Sequence, residues 1–427
     1  MPVSFLQIGS APPPPTQLVG RENDLAKLKA LLIQNPEKQK RGVVRLLGER
    51  VRQYRGEIAT EGGTILTRSL LAQRVGLSEE VVKKAENNQL VRISTAAAIA
   101  RGLGRSLNEL TAPAGDSVAL QSLVVVRGLP GVGKTTLVSA LAHDATVKNA
   151  FEGCLWASLG QSPDCLAELT AWGRALGLTD IDREKAKKHA RARLTALLSD
   201  RRLLLIIDDA WTSEDAIDLM VGGPLCATLM TTRLTEVANA VAPTEDDLYP
   251  LNVLTEDHSV KLLEELASSV VEDHRDEARE LAQELECLPL ALQVAGRLLR
   301  ARARTGLGVA QLIDELRDAS NLLDKDSPGG PKVAAILKKS TDFLDEKARK
   351  CFAYLASFAD KPASFDLNAL KDVWCGIPDD IEQMADLLVA RGLLEPVGGG
   401  RFWLHALLVA HAKSLLASTR RFMPTGL

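Results

Sequence analysis

Aromatic side chains are scarce in this chain. Eight Phe, five Trp and three Tyr make up only 4% of 427 residues. Aliphatic side chains and Ala must therefore fill its cores, and Ala- and Leu-rich cores favour helices. The six cysteines, Cys154, Cys165, Cys226, Cys287, Cys351 and Cys375, are dispersed along the chain. None stands at metal-ligand spacing from another, which leaves them as small apolar core residues in a reducing compartment. Long apolar runs are also missing: no stretch approaches the roughly 20 residues of a membrane span. The N-terminus lacks the charged start and apolar run of a secretion signal. The expectation is a cytoplasmic protein with no membrane partner.

What is present fits a globular chain: 46% hydrophobic and 25% charged residues. Its length exceeds what one core usually supports, so several domains are expected. The net charge of −3 is unevenly spread. Between Arg41 and Ala112 lie twelve basic and seven acidic residues, so a basic module is embedded in an acidic protein.

Along the chain, residues 1–16 carry Ala11-Pro-Pro-Pro-Pro15 and read as a stiff, exposed tail. A helix patterned on Leu25, Leu28, Leu31 and Leu32 follows within 17–40, and the basic module occupies 41–112. Residues 113–250 alternate strand and helix, which argues for an α/β layer. Strands are expected at Ser122 to Arg127, Cys154 to Leu159, Leu203 to Ile207 and Ala227 to Thr231, with a helix from Lys134 to His143. Amphipathic helices fill 251–330. Ser327-Pro-Gly-Gly-Pro331 separates them from 331–427, which is helical apart from a β-hairpin within Gly392 to Trp403.

Gly128-Leu-Pro-Gly-Val-Gly-Lys-Thr135 matches G-x-x-x-x-G-K-[ST] and stands between a strand and a helix. Gly128, Gly131 and Gly133, with Val132 between them, let backbone N–H groups turn inward as an anion cradle. The helix N-terminus, from Lys134 to Thr136, adds its dipole. Lys134 reaches the β- and γ-phosphates, and Thr135 takes a Mg²⁺ position. The apolar run Leu203 to Ile207 ends in Asp208-Asp209, at the end of a buried strand where ligands bind. Asp208 is the Mg²⁺-holding carboxylate and Asp209 the group that orients or deprotonates the attacking water.

With these residues in their order, the chain resembles an NB-ARC protein of the STAND class of signalling NTPases. Leu18-Val19-Gly20-Arg21-Glu22 resembles the family's opening motif, whose backbone meets adenine. Thr231-Thr232-Arg233 resembles its sensor strand, with Arg233 aimed at the γ-phosphate. Leu285-Glu-Cys-Leu-Pro-Leu-Ala-Leu292 resembles G-L-P-L-A-L, with Cys287 where Gly is usual and Pro289 at the base or ribose. Leu404-His405-Ala406 stands where the family has M-H-D, so His405 would touch the β-phosphate of ADP, while Ala406 replaces the Asp. The resemblance implies a multidomain chain: an α/β P-loop NTPase with a parallel sheet, an all-α insertion, an all-α helical domain and a winged-helix domain. It also implies ATP/ADP and Mg²⁺ as cofactors, slow ATP hydrolysis, and a switch closed by ADP that opens and forms a homo-oligomer with ATP.

Residues 45–110 resemble a Cro/repressor-type helix-turn-helix. Its helices are Leu47 to Arg55, a second helix and turn within Thr67 to Ser78, then Glu79 to Asn87, Ser94 to Gly102 and Ser106 to Leu110. Such a fold presents the start of its recognition helix to base edges. Ser78, Glu79, Lys83 and Lys84, with Arg68 and Arg74, are the candidate contacts to double-stranded DNA. Glu79 and Glu80 repel phosphate, so a protein partner, or packing on the chain's own NTPase, stays open beside DNA. Function reads as a nucleotide-gated regulator with a DNA-binding output, or as an oligomerising signalling or defence scaffold. The trigger is not legible.

Overall fold

The computed structural model describes residues 6–9, 11–15, 18–33, 43–58, 65–105, 107–110, 122–181, 186–223, 225–242, 244–303, 309–321, 330–359 and 363–421. The expected punctuation at Pro113 to Gly115 and at Ser327 to Gly329, and Ser106 of the expected fifth insertion helix, lie outside these residues. The chain divides into two compact units. One comprises Met1–Pro14, Asn23–Gly128 and Lys134–Leu251, and the other Pro15–Glu22, Leu129–Gly133 and Asn252–Leu427.

The first unit opens with β1 (Leu6–Gly9), and α1 (Glu22–Ile33) leads toward the insertion. This module contains β2 (Val43–Arg45), α2 (Gly48–Glu57), α3 (Arg68–Val75), α4 (Glu79–Glu86), β3 (Leu90–Arg92), α5 (Ile93–Gly102) and α6 (Leu107–Leu110). It has its own core, centred on Leu46, Val51, Leu71, Val82, Ile99 and Leu110. Each fully buried aliphatic side chain there contributes about 1.5–3 kcal/mol. The Leu47 N–H donates to the Leu110 carbonyl at 2.7 Å, so the module's ends meet and it can sit within a parent chain without stretching it. Thr67 and Ser78 cap α3 and α4 through their side chains, and Gly76 ends α3 in a left-handed conformation.

The remainder of this unit is β4 (Ser122–Arg127), α7 (Lys134–His143), α8 (Ala145–Ala150), β5 (Gly153–Gly160), α9 (Cys165–Ala175), α10 (Lys187–Leu197), β6 (Leu203–Ala210), α11 (Ser213–Asp218), β7 (Ala227–Thr232), α12 (Thr235–Val241) and β8 (Leu248–Pro250). The strands form one parallel sheet in the order β1-β5-β6-β7-β4-β8. Its central strands β4, β5 and β7 are buried almost throughout, on both faces, as expected of a parallel sheet.

The expected exposed tail at 1–16 is corrected in part, since Pro13 and Pro14 are exposed but Leu6–Gly9 and Pro12 are built into the sheet and its packing. Leu6–Gly9 pairs with Gly153–Trp156 as the edge strand, and Pro12 is buried. The Ser139 hydroxyl donates to the carbonyls of Pro12 and Pro13. A proline lacks a donor but keeps its acceptor, and here that acceptor anchors the segment to α7.

The second unit contains α13 (Glu256–Val271), α14 (Arg275–Glu284), α15 (Pro289–Arg302), α16 (Val309–Asn321), α17 (Pro331–Asp342), α18 (Glu346–Tyr354), β9 (Phe365–Asp366), α19 (Leu367–Val373), α20 (Ile381–Ala390), β10 (Glu395–Gly398), β11 (Arg401–Trp403) and α21 (Ala406–Arg421). The expected hairpin is β10-β11, and β9 extends it to three antiparallel strands. No helix among the described residues is long and apolar enough to cross a membrane.

Candidate phosphate and divalent-cation site

In the first unit, β4 delivers Gly128 and α7 begins at Lys134. The Gly128 N–H donates to the Thr232 carbonyl at 3.3 Å, which ties the start of the loop to β7. Lys134 is buried, and its Nζ donates to the Gly128 carbonyl at 2.9 Å. Burial pulls its pKa down to about 8, against the opposing pull of Asp209 and Asp208. Thr135 donates its hydroxyl toward both oxygens of Asp208, at 3.2 and 2.9 Å, and Thr136 is exposed on the first turn.

Asp208 lies at the buried end of β6. Register pairs Ile207 with Met230, so Thr231 falls beside Asp208 and donates to its Oδ1 at 2.6 Å. Burial, reinforced by the Asp209 charge, raises the Asp208 pKa, while the two threonine hydroxyls pull it down. A carboxylate and a hydroxyl this close are oxygen donors suited to a hard cation such as Mg²⁺, so the residues fit the ion that the loop motif implies.

Asp209 adopts φ 52, which strains a non-glycine residue, and its N–H donates to Thr231 Oγ1 at 2.9 Å. Arg233 grips its carboxylate: Nη2 donates to Oδ1 and Oδ2 at 2.9 and 3.0 Å, and Nε to Oδ1 at 3.3 Å. The Trp211 indole N–H donates to Oδ2 at 3.1 Å, and the Arg233 guanidinium lies 4.6 Å from the centre of the Trp211 ring. Sequence reading missed the role of Thr231. The sensor-like motif marks the residue, but its bond to Asp208 follows from the β6–β7 register.

The second unit carries the arch of the loop. Gly131 and Gly133 take φ 78 and 94, conformations that glycine alone adopts freely, and Val132 is fully buried. Pro289 occupies the first turn of α15, and the next residue, Leu290, donates its N–H to the Gly131 carbonyl at 3.2 Å. Val19 and Gly20 are half-buried, whereas Arg21 is buried with Nη2 donating to the Val132 carbonyl at 2.9 Å. His405 stands just before α21, where its Nδ1 accepts the Leu407 N–H at 3.2 Å. That bond leaves the ring proton of a neutral imidazole on Nε2.

Within the insertion, Glu86 is fully buried at the end of α4 and accepts from Arg55 at 2.7 Å and from Arg68 at 2.7 and 2.9 Å. Arg68, a candidate phosphate contact, is thus engaged inside the module, and its pKa is raised by the Glu86 hydrogen bond. Arg74, Glu79 and Lys83 are exposed, Lys84 is half-buried, and Ser78 is the α4 cap. Elsewhere, Cys165, Asp215 and Asp218 have metal-like spacing. Lys187 and Arg191 pair with Asp218, however, and burial pushes the Cys165 thiol up to about 12.

An NB-ARC domain model matches residues 107–272. The regulatory protein AfsR of Streptomyces coelicolor is 29% identical over 320 residues, covering 73% of this chain and 31% of its own. AfsR of Streptomyces griseus is 28% identical over 69% of this chain and 30% of its own. The probable disease resistance RPP8-like protein 2 of Arabidopsis thaliana is 28% identical over 70% of this chain and 32% of its own. The chain therefore spans about three tenths of the length of these relatives. The chain is thus similar to NB-ARC domains and to these regulatory and disease-resistance proteins, and its own structure contains a parallel-sheet α/β layer with many helices.

Proposed function

We propose that this chain is a nucleotide-gated regulator that binds ATP and ADP with Mg²⁺ in the loop Gly128–Thr136 and hydrolyses ATP slowly. The observation that carries this reading is the Thr135–Asp208 pair beneath a buried Lys134. Lys134 supplies positive charge for phosphate oxygens, and Thr135 and Asp208 supply oxygen ligands for Mg²⁺. Asp209 orients the attacking water once Arg233 has released it for the γ-phosphate, so hydrolysis waits on that exchange. Gly20 and Pro289 serve the base and ribose, and His405, with a protonated Nε2, serves the β-phosphate of ADP. Denaturing the purified chain and identifying the released nucleotide by chromatography tests the reading. ADP or ATP is expected, and a chain that neither carries nor takes up either nucleotide with Mg²⁺ defeats it.

In this reading the inserted module is a helix-turn-helix that delivers the output to double-stranded DNA. Its supports are the capped α3–α4 pair with its left-handed Gly76 turn and the basic side chains Arg74, Lys83 and Lys84. DNA affinity should fall steeply with salt and differ between the ADP and ATP forms. A specific observation favours a second reading, an ATP-assembled scaffold with the module as a protein contact. Arg68 is held by Glu86, Glu79 and Glu80 are exposed, and Ile65 and Leu70 are 62% and 41% exposed. Light scattering with ATP and with ADP, in the presence and absence of DNA, separates the two.

A further inference from the structure

The turn at residues 18–21 is clamped from two sides within the second unit. On one side the Arg21 guanidinium binds the Val132 carbonyl of the phosphate loop. On the other stands His258, in the first turn of α13. Gly20 has φ 68, and a Cβ built on it would lie 2.5 Å from His258 Cγ, 2.6 Å from its Cβ and 2.8 Å from Nδ1. The imidazole is therefore packed directly against the Gly20 backbone and occupies the space that any side chain at position 20 would need. Thr255 fixes the ring: its Oγ1 accepts the His258 backbone N–H at 3.3 Å and lies 2.9 Å from Nδ1. With the hydroxyl oxygen accepting that N–H, the hydroxyl proton is available to Nδ1.

A glycine at positive φ is permitted but not held there, because glycine has more backbone freedom to lose than any other residue. Arg21 anchors the turn to the phosphate loop through its side chain, and His258 is packed against the glycine that precedes it.

We propose that His258 is a positioning residue for nucleotide-base recognition, holding the Val19–Gly20 backbone in the conformation that receives the adenine edge. This rests on the reading of residues 18–21 as the base-binding turn. The ring acts by preorganisation: it removes an ordering cost that the nucleotide would otherwise bear. Phosphate binding, by contrast, depends on Lys134 and the loop backbone. His258 therefore sets how strongly the base, rather than the phosphate chain, contributes to affinity.

The test is calorimetric titration of the full chain with Mg-ADP and, separately, with Mg-tripolyphosphate. His258→Ala is expected to weaken ADP about tenfold, the scale of one lost positioning contact, and to leave tripolyphosphate unchanged. His258→Asn keeps a polar atom near the Nδ1 position and should recover most of the loss. Thr255→Val, which frees the ring without emptying its space, should produce a smaller loss of the same kind. These two variants carry the test if His258→Ala does not fold, as judged by thermal melting. ADP affinity unchanged in the variants, or equal losses for ADP and tripolyphosphate, overturns the proposal. A wild-type chain that binds no ADP overturns the nucleotide reading itself, and it is recognised before any variant is compared.

Discussion

Two carboxylates are buried by the first unit in opposite company. Glu86, in the insertion, meets two guanidinium groups from two other helices, and its charge is neutralised within the module. Asp208, at the end of β6, meets two hydroxyls, and burial raises its pKa. The backbone repeats this contrast. Left-handed positions in the insertion are filled by residues that tolerate them, such as Gly76 and Asn88. Around the phosphate loop, Gly131 and Gly133 do the same, but Asp209 and, in the segment that supports the loop, Glu286 and Cys287 take such positions without being glycine. One region has its costs compensated internally, and the other carries costs that a ligand can repay. That distinction separates a carboxylate that holds a fold together from one that holds a cation.

The largest test removes the carboxylate whose pKa burial raises. Asp208→Asn should weaken Mg²⁺-dependent nucleotide binding by about a hundredfold or more, the effect of losing a charge-assisted contact. The same substitution should raise the melting temperature without nucleotide, because a buried carboxylate is gone. Lower stability without nucleotide would mean that Asp208, like Glu86, is structural, and the comparison would fail. The mirror experiment is Glu86→Ala. It should cost about 2 kcal/mol in denaturant unfolding, less than a fully buried pair because Arg55 and Arg68 are part-exposed. Nucleotide affinity should not change.

A smaller effect concerns Lys134. Burial lowers its pKa from an ordinary 10.5 to about 8, so between these values the unfolded chain binds more protons than the folded one. Stability without nucleotide should therefore rise with pH across that window, by about 1–3 kcal/mol, and Lys134→Met should lack the rise. Nucleotide binding, which demands a charged Lys134, should weaken above pH 8 and take up a proton there. Calorimetry in buffers of differing ionisation enthalpy reads that proton directly. Identical pH profiles for the variant and the wild type would remove Lys134 from the account.

Local signals made much of this legible in the sequence. The glycine pattern and the apolar run before it place β4 and α7 with the expected bounds, and the acidic end of β6 places Asp208 and Asp209. Long-range pairing was not legible. β1 is a four-residue strand followed by prolines, and what makes it a strand is the distant edge of β5. β9 has two residues and exists through β11. The helix-turn-helix resemblance placed Arg68 among phosphate contacts because neither a motif nor a charge count reveals pairing. Only the approach of α2, α3 and α4 brings it onto Glu86. Thr231 is visible as a threonine in a strand, and its bond to Asp208 follows from register alone. The turn of Gly20 was legible as a motif, whereas the histidine against it lies on a helix that sequence could only describe as amphipathic.

The smallest expected effect tests whether backbone strain belongs to the same pattern. Glu286 and Cys287 have φ 53 and 52 in succession, just before Pro289 and Leu290, which supports the Gly131 carbonyl. The backbone is tied there, since the Cys287 N–H donates to Ala282 at 2.9 Å and its carbonyl accepts from Leu254 at 3.2 Å. Each left-handed non-glycine residue costs roughly 1–2 kcal/mol, and a glycine there gives back up to about 1 kcal/mol through unfolded-state entropy. Glu286 is exposed, so Glu286→Gly should stabilise the chain by about 0.5–1 kcal/mol. Cys287 is 8% exposed, and Cys287→Gly also loses a buried thiol, so its net gain should be smaller. If both variants stabilise the fold and neither tightens ADP binding, the strain is a cost carried by the supporting segment and is not spent on the ligand. If stabilisation comes with weaker ADP binding, the left-handed pair helps to place Pro289, and glycine's freedom at that turn is what the nucleotide then has to remove.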